Sequence, residues 1–184
     1  MVTALKEKFG EGVLSTTEFR GEHTVQIAPT QAKALLKYCR DELAFDYLVD
    51  LSSLDHLGQE PRFEMVYELM GYGHRQHLRV KFSIPDGESA PTVSDIWATA
   101  NWHEREAYDM MGIDFAGHPN LRRILMWDGY PFYPLRKDFP LAGKPSDLPD
   151  VGFTNIAPMA DGPFVTSAGA VDTVTREPRA KRVD

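Results

Sequence analysis

Apolar residues recur along this chain with two different periods, and the switches between them mark out the elements. Leu5 and Phe9, four apart, give residues 2–9 one helical face, which Gly10 and Gly12 end. Two short strand patterns follow at 13–19 and 23–27, with Gly21 at the turn between them. Pro29 and Thr30 then open a second helix, on which Ala32, Leu35, Leu36, Cys39 and Leu43 form an amphipathic stripe. Cys39 lies on that stripe and reads as a small core hydrophobe. Strand patterns return at 45–55, 62–70 and 75–84, the last two joined as a hairpin through Gly71–Tyr72–Gly73. A longer helix is predicted from Ser94, as its N-cap, to Gly112. The order α-β-β-α-β-β-β predicts an α+β fold with helices on one face of the sheet.

After Pro140 the periodicity ends. The stretch "LAGKPSDLPDVGFTNIAPMADGPF" scatters Phe153, Ile156, Met159 and Phe164 among prolines and glycines. Two readings stay open for 141–165, a floppy tail and an extended arm ordered against another protein; the last ten to twenty residues of the chain read as disordered. The chain therefore divides into an α/β domain at 1–90, a helix and charged segment at 91–140, and a Pro/Gly-rich arm at 141–184.

Composition narrows the function classes. Apolar residues make up 42% of the chain, which supports a real core, and the net charge of −7 argues against nucleic acid as a partner. One cysteine excludes an internal disulfide and any Cys-ligated cluster or zinc finger within this chain. No apolar run approaches the length of a membrane span and the first residues lack a signal-like stretch, so any membrane association is expected to come through a partner.

The densest chemistry lies in "NWHEREAYDMMGIDFAGHP", residues 101–119. It invites a zinc-protease reading, but the position four after His103 is Ala107, so the second ligand of H-E-x-x-H is missing. Neither a nucleophile elbow nor a phosphate-binding glycine loop is present. On a helical wheel Ile96, Trp97, Ala100, His103, Ala107, Tyr108, Met110 and Met111 share an arc with Glu104 inside it. Arg105, Glu106 and Asp109 lie opposite, around Trp102. Each face thus carries a misfit, a carboxylate among apolar residues and an indole among charges. Glu104 reaching water and Trp102 tucked under a loop would resolve them separately. The two together predict instead a helix held between its own domain and a partner, with Glu104 buried and compensated by an arginine or several backbone donors. Arg122 and Arg123 are expected to point in different directions, and the prolines of "YPLRKDFP" to present Arg136, Lys137 and Asp138 rigidly for docking.

These residues carry a resemblance. Glu104–Arg105–Glu106, Asp109, Gly112–Ile113, Phe115, Gly117–His118–Pro119, Leu121–Arg122–Arg123–Ile124–Leu125 and Pro134–Leu135–Arg136–Lys137–Asp138 closely resemble the signature of the NuoC family, whose members belong to the proton-translocating NADH:quinone oxidoreductase, respiratory complex I. The resemblance covers about three quarters of the chain and is strongest over 101–140. One departure is Phe132–Tyr133, where many members have Gly-His. A histidine's role therefore cannot be transferred there, although Tyr133 can still donate a hydrogen bond.

The resemblance implies a two-layer α/β sandwich with a mixed sheet, followed by a docking helix and an extended C-terminal arm. It implies a non-catalytic subunit that binds no cofactor itself, with NADH, FMN, iron–sulfur clusters and quinone held by partners. Those partners would be the hydrogenase-like large subunit and the adjacent iron–sulfur subunit of the quinone module, on the cytoplasmic side of a bacterial inner membrane. The expected docking residues are Trp102, Glu104, Arg105, Glu106, Asp109, His118, Arg122, Arg123, Tyr133, Arg136, Lys137 and Asp138. A related membrane-bound hydrogenase or other donor:quinone oxidoreductase is the nearest alternative. A stand-alone hydrolase or metal-binding domain using His103, Glu104 and His118 is the alternative from another class.

Overall fold

Tyr67, at the middle of the central hairpin, shows how the sheet is built. It faces Leu51 on one side and Val80 on the other, and Val80 faces Val25, so one row of buried side chains crosses four strands. The computed structural model describes residues 1–127 and 129–140. The elements in chain order are α1 (Val2–Phe9), β1 (Val13–Phe19), β2 (Glu22–Ile27), α2 (Ala32–Asp41), β3 (Tyr47–Asp55), β4 (Phe63–Gly71), β5 (Gln76–Ile84), β6 (Ala90–Pro91), α3 (Ala100–Met111) and β7 (Phe115–Ala116).

The main sheet runs β1-β2-β5-β4-β3. Its pairs are antiparallel except β2 with β5, which makes it mixed. Alternation puts Phe63, Met65, Tyr67 and Leu69 of β4 and Leu78, Val80, Phe82 and Ile84 of β5 in the core with Leu5, Leu35, Leu36 and Cys39 of α1 and α2. Burial pushes the Cys39 thiol up to about 12, so it behaves as a core hydrophobe. The opposite face is charged and self-paired: Arg79 bonds Glu68 directly across the β4–β5 ladder, and Lys81 reaches Glu64 at 3.0 Å. The same hydrophobic cluster includes Val93, Ile96, Trp97, Ala100, Ala107, Met110 and Met111, so α3 shares the core of residues 1–90.

Three local predictions need correcting. Helix α3 begins at Ala100, not near Ser94. The Ser94 N–H bonds the Thr92 hydroxyl at 3.2 Å, and short turns through Val93, Ile96 and Trp97 occupy the intervening residues. Local side-chain bonding has displaced the helix start. The β4–β5 turn lies at residues 72–75, with Gly71 still in the strand and Arg75 at φ +54°. Finally, β6 and β7 pair in parallel over two residues each, too short to leave a periodic signal. The arm at 141–184, with its two open readings, lies outside the described residues.

Candidate functional site

Helix α3 is braced on both faces, in large part by the residues that the sequence assigns to docking. Glu104 is fully buried on the face toward the sheet. Its Oε1 accepts the Val93 N–H at 2.7 Å and its Oε2 the Thr92 hydroxyl at 2.6 Å. Among the described residues no arginine meets it: one backbone donor and one hydroxyl compensate it. Burial pushes its carboxyl up to about 7, the two hydrogen bonds offsetting only part of that. His118 closes the site with its side chain fully buried. Its Nδ1 accepts the Asn120 N–H at 3.0 Å, which leaves the other ring nitrogen, Nε2, to donate to the Asn101 carbonyl at 3.2 Å. The ring is therefore neutral in this arrangement, and its 3.9 Å approach to Glu104 is not a charged pair.

The other face departs from expectation. Helical spacing puts Arg105 and Asp109 on an outward, partner-facing side, yet both are buried, because residues 121–127 and 129–136 fold back over the helix. Asp109 Oδ2 accepts three consecutive backbone N–H groups, Ile124 at 2.9 Å, Leu125 at 2.7 Å and Met126 at 2.9 Å. Its Oδ1 takes Arg123 Nη1 at 2.7 Å. Burial alone would raise this carboxyl, but the three N–H groups and the guanidinium outweigh it and hold it below the usual carboxylate range. Arg123 also bonds the carbonyls of Asp109 and Phe132, both at 3.1 Å. The layer foreseen for a partner is supplied by the chain itself.

A second clasp holds the Pro-Leu-Arg-Lys-Asp run. Asp55 takes a forked pair of bonds from Arg62 at 2.8 and 2.9 Å and the Lys137 N–H at 2.8 Å. Arg62 also reaches Asp86 and Asp138. Arg136 bonds the Met111 carbonyl at 2.6 Å and Asp86 at 3.1 Å, and its guanidinium lies over the rings of Phe63 and Tyr133. Tyr133 works through its ring, stacked by Arg123 and Arg136 and packed on Gly112. Gly112 ends α3 at φ +71°, where a Cβ would sit 2.6 Å from the Tyr133 ring.

Several apolar side chains on and beside the braced helix remain exposed. Trp102 is 62% exposed, its indole beneath the Arg105 guanidinium at 4.8 Å, and Arg105 Nε bonds the Arg122 carbonyl. Leu125, Trp127 and Leu135 are exposed as well. The side chains of Arg122, Lys137 and Glu106 have no partner among the described residues, and Arg122 and Arg123 do point apart. Asp55, Arg62, Asp86 and Thr92 belong to the site without a clear sequence signal. Only the flanking of 56–61 by Asp55 and Arg62 hints at a clasp. Among the described residues no cluster of three or more His, Cys, Asp or Glu is placed to hold a metal, and no helix is long and apolar enough to cross a membrane.

A family model described as the respiratory-chain NADH dehydrogenase 30 Kd subunit matches residues 25–145, and the chain belongs to that family. Among its relatives is the C subunit of the NADH-quinone oxidoreductase of Geotalea uraniireducens, 46% identical over 143 residues, 77% of this chain and 87% of that one. The C 2 subunit of the NADH-quinone oxidoreductase of Rhizobium etli is 38% identical over 178 residues, 94% of this chain and 88% of that one. Among solved structures, a chain of the membrane-bound sulfane sulfur reductase, an archaeal respiratory membrane complex, superposes with a TM-score of 0.67 at 25% identity, covering 76% of this chain and 84% of that one.

Proposed function

We infer that this chain is a non-catalytic docking subunit of the peripheral arm of an NADH:quinone oxidoreductase, within its quinone module. The observation that carries the reading is the double bracing of α3. Asp109, Arg123, Asp55 and Arg136 lock residues 121–127 and 129–138 onto the helix, leaving Trp102, Leu125 and Leu135 exposed on that base. An interface gains most from apolar anchors that are already immobilised, because little side-chain and loop entropy is then lost on binding. Arg122, Lys137 and Glu106 around them suit polar recognition at the rim.

The partners in this reading are the hydrogenase-like large subunit and the adjacent iron–sulfur subunit. FMN, the iron–sulfur clusters and the NADH and quinone sites belong to other subunits, and this chain holds no cofactor. Membrane attachment is peripheral, on the cytoplasmic side of a bacterial inner membrane, and comes through the complex. The likeness to the sulfane sulfur reductase chain supports a second reading, the equivalent subunit of another respiratory membrane complex. The higher identity to the NADH-quinone oxidoreductase subunits favours the first.

The test is affinity purification of the tagged full chain from membranes of its own organism. Recovery with NADH:quinone oxidoreductase activity and a hydrogenase-like large subunit is expected. Recovery with subunits of a different donor's complex would select the second reading, and recovery alone would contradict both.

A further inference from the structure

Two buried carboxylates lie five residues apart on α3, and their surroundings treat them oppositely. Asp109 meets three backbone donors and a guanidinium. Glu104 meets one backbone N–H and one hydroxyl, and no cation is hydrogen bonded to it among the described residues. The groups around Glu104 do not supply the missing charge. His118, from the turn after β7, is neutral by its bonds to Asn120 and Asn101. Lys33 on α2 acts from a distance, its ammonium held by Asp95 at 3.0 Å, and Asp95 itself opposes a charge on Glu104. Tyr67 on β4 lies within electrostatic reach, its hydroxyl buried, protonated and without a hydrogen bond among the described residues.

The second observation is a path. Glu104 Oε2 lies 2.6 Å from Thr92 Oγ1, which lies 2.8 Å from Ser94 Oγ, and Ser94 is half-buried at the end of this row. Hydroxyls both donate and accept, so such a row can reverse its direction without moving a heavy atom.

We propose that Glu104, Thr92 and Ser94 form a buried proton-binding site, in which the Glu104 carboxyl exchanges its proton with solvent through the two hydroxyls. In the charged state the Thr92 hydroxyl donates to Glu104 Oε2 and accepts from Ser94. In the neutral state the carboxylic acid O–H donates to Thr92 Oγ1, and the Thr92 hydroxyl turns to donate to Ser94 Oγ. The net change is one proton taken from bulk water and held at Glu104, with no bond broken between heavy atoms. The site joins residues 92–94 to α3, so the proton sets the charge beneath the base of the exposed Trp102 surface.

The test is a pH titration of the full chain with its glutamate carboxyl carbons labelled, followed by NMR. One glutamate signal should titrate with a midpoint near 7, far above the ordinary range, and be missing in Glu104→Gln. In Thr92→Val the midpoint should rise by roughly one unit, because the charged state loses a stronger hydrogen bond than the neutral one. That variant also assigns the signal if Glu104→Gln does not fold. Every glutamate titrating in the ordinary range, near 4.5, would overturn the proposal. A high midpoint that Thr92→Val leaves unmoved would overturn the hydroxyl path.

Discussion

Arg123 Nη1 sits 2.7 Å from Asp109 Oδ1, and this ion pair fastens the returning chain to the outer face of α3. The same carboxylate gathers the N–H groups of residues 124–126, so one side chain fixes a whole turn. Removing it leaves a partly buried guanidinium and three backbone donors without their acceptor. Asp109→Ala should therefore cost on the order of 3–5 kcal/mol, the scale for breaking a buried pair. Urea unfolding of the two proteins measures it. A loss within experimental error would mean that residues 121–126 are held by something else.

Gly112 answers two demands at once, a left-handed backbone and room for the Tyr133 ring. Gly112→Ala should lower stability by more than the roughly 1–2 kcal/mol typical of a left-handed alanine. In a Tyr133→Ala background Gly112→Ala should cost less than in the parent, because the overlap disappears while the backbone strain stays. A thermal-melt cycle over the four proteins reads this directly. Simple additivity would rule out the steric component.

The pH dependence has two limbs of opposite sign. Asp55 is held low by its bonds from Arg62, against its burial and with help from the Lys137 N–H. Asp109 is held low although burial opposes it. For both, the folded state binds its proton less readily than the unfolded state. The stability they contribute is present above the ordinary aspartate range and is lost as pH falls through their depressed values. Glu104 runs the other way: its folded carboxyl holds the proton up to about 7, so its contribution is present at acid pH and fades as pH rises from the ordinary glutamate range through 7. A rise from an ordinary 4.5 to about 7 corresponds to roughly 3 kcal/mol. Stability measured against pH should fall on both sides, and Glu104→Gln should flatten only the alkaline limb. An unchanged alkaline limb in that variant would remove Glu104 as its cause.

The Arg62 clasp ties three segments that are distant in sequence, through Asp55, Asp86 and Asp138. Its Asp55 arm is forked and largely buried, whereas Asp86 and Asp138 are more exposed. Salt should therefore weaken the outer arms and spare the inner one. Arg62→Ala should raise hydrogen exchange at the Lys137 amide far more than added salt does, since Asp55 Oδ2 receives both. Equal effects would mean that the inner arm contributes nothing special.

The sheet is legible in the sequence because its rows obey simple alternation: β4 and β5 carry an inward apolar residue at nearly every second position. Glu104 is legible too, as a carboxylate on an apolar arc. The helix start is not, because the Thr92 and Ser94 hydroxyls compete with helical hydrogen bonding and periodicity cannot register that. Spacing misplaces Arg105 and Asp109 for a different reason. A helical wheel shows which residues share a face, but not that the chain returns to cover the second face. The partners of Asp109 lie 14 to 17 residues away, beyond the reach of local spacing. Asp55 and Lys137 meet across the fold for reasons only tertiary structure supplies.

The exposed surface on the braced helix is where docking should be decided. Trp102→Ser and Leu125→Ser, made together in the full chain, alter side chains that are already outward. The melting curve should therefore stay close to that of the parent. Trp102 and Leu125 are the apolar anchors of the inferred interface, so the variant should fail to co-purify with the large subunit of the quinone module and quinone reductase activity of the membranes should fall with it. Full co-purification and activity with a normal melting curve would contradict docking through this surface.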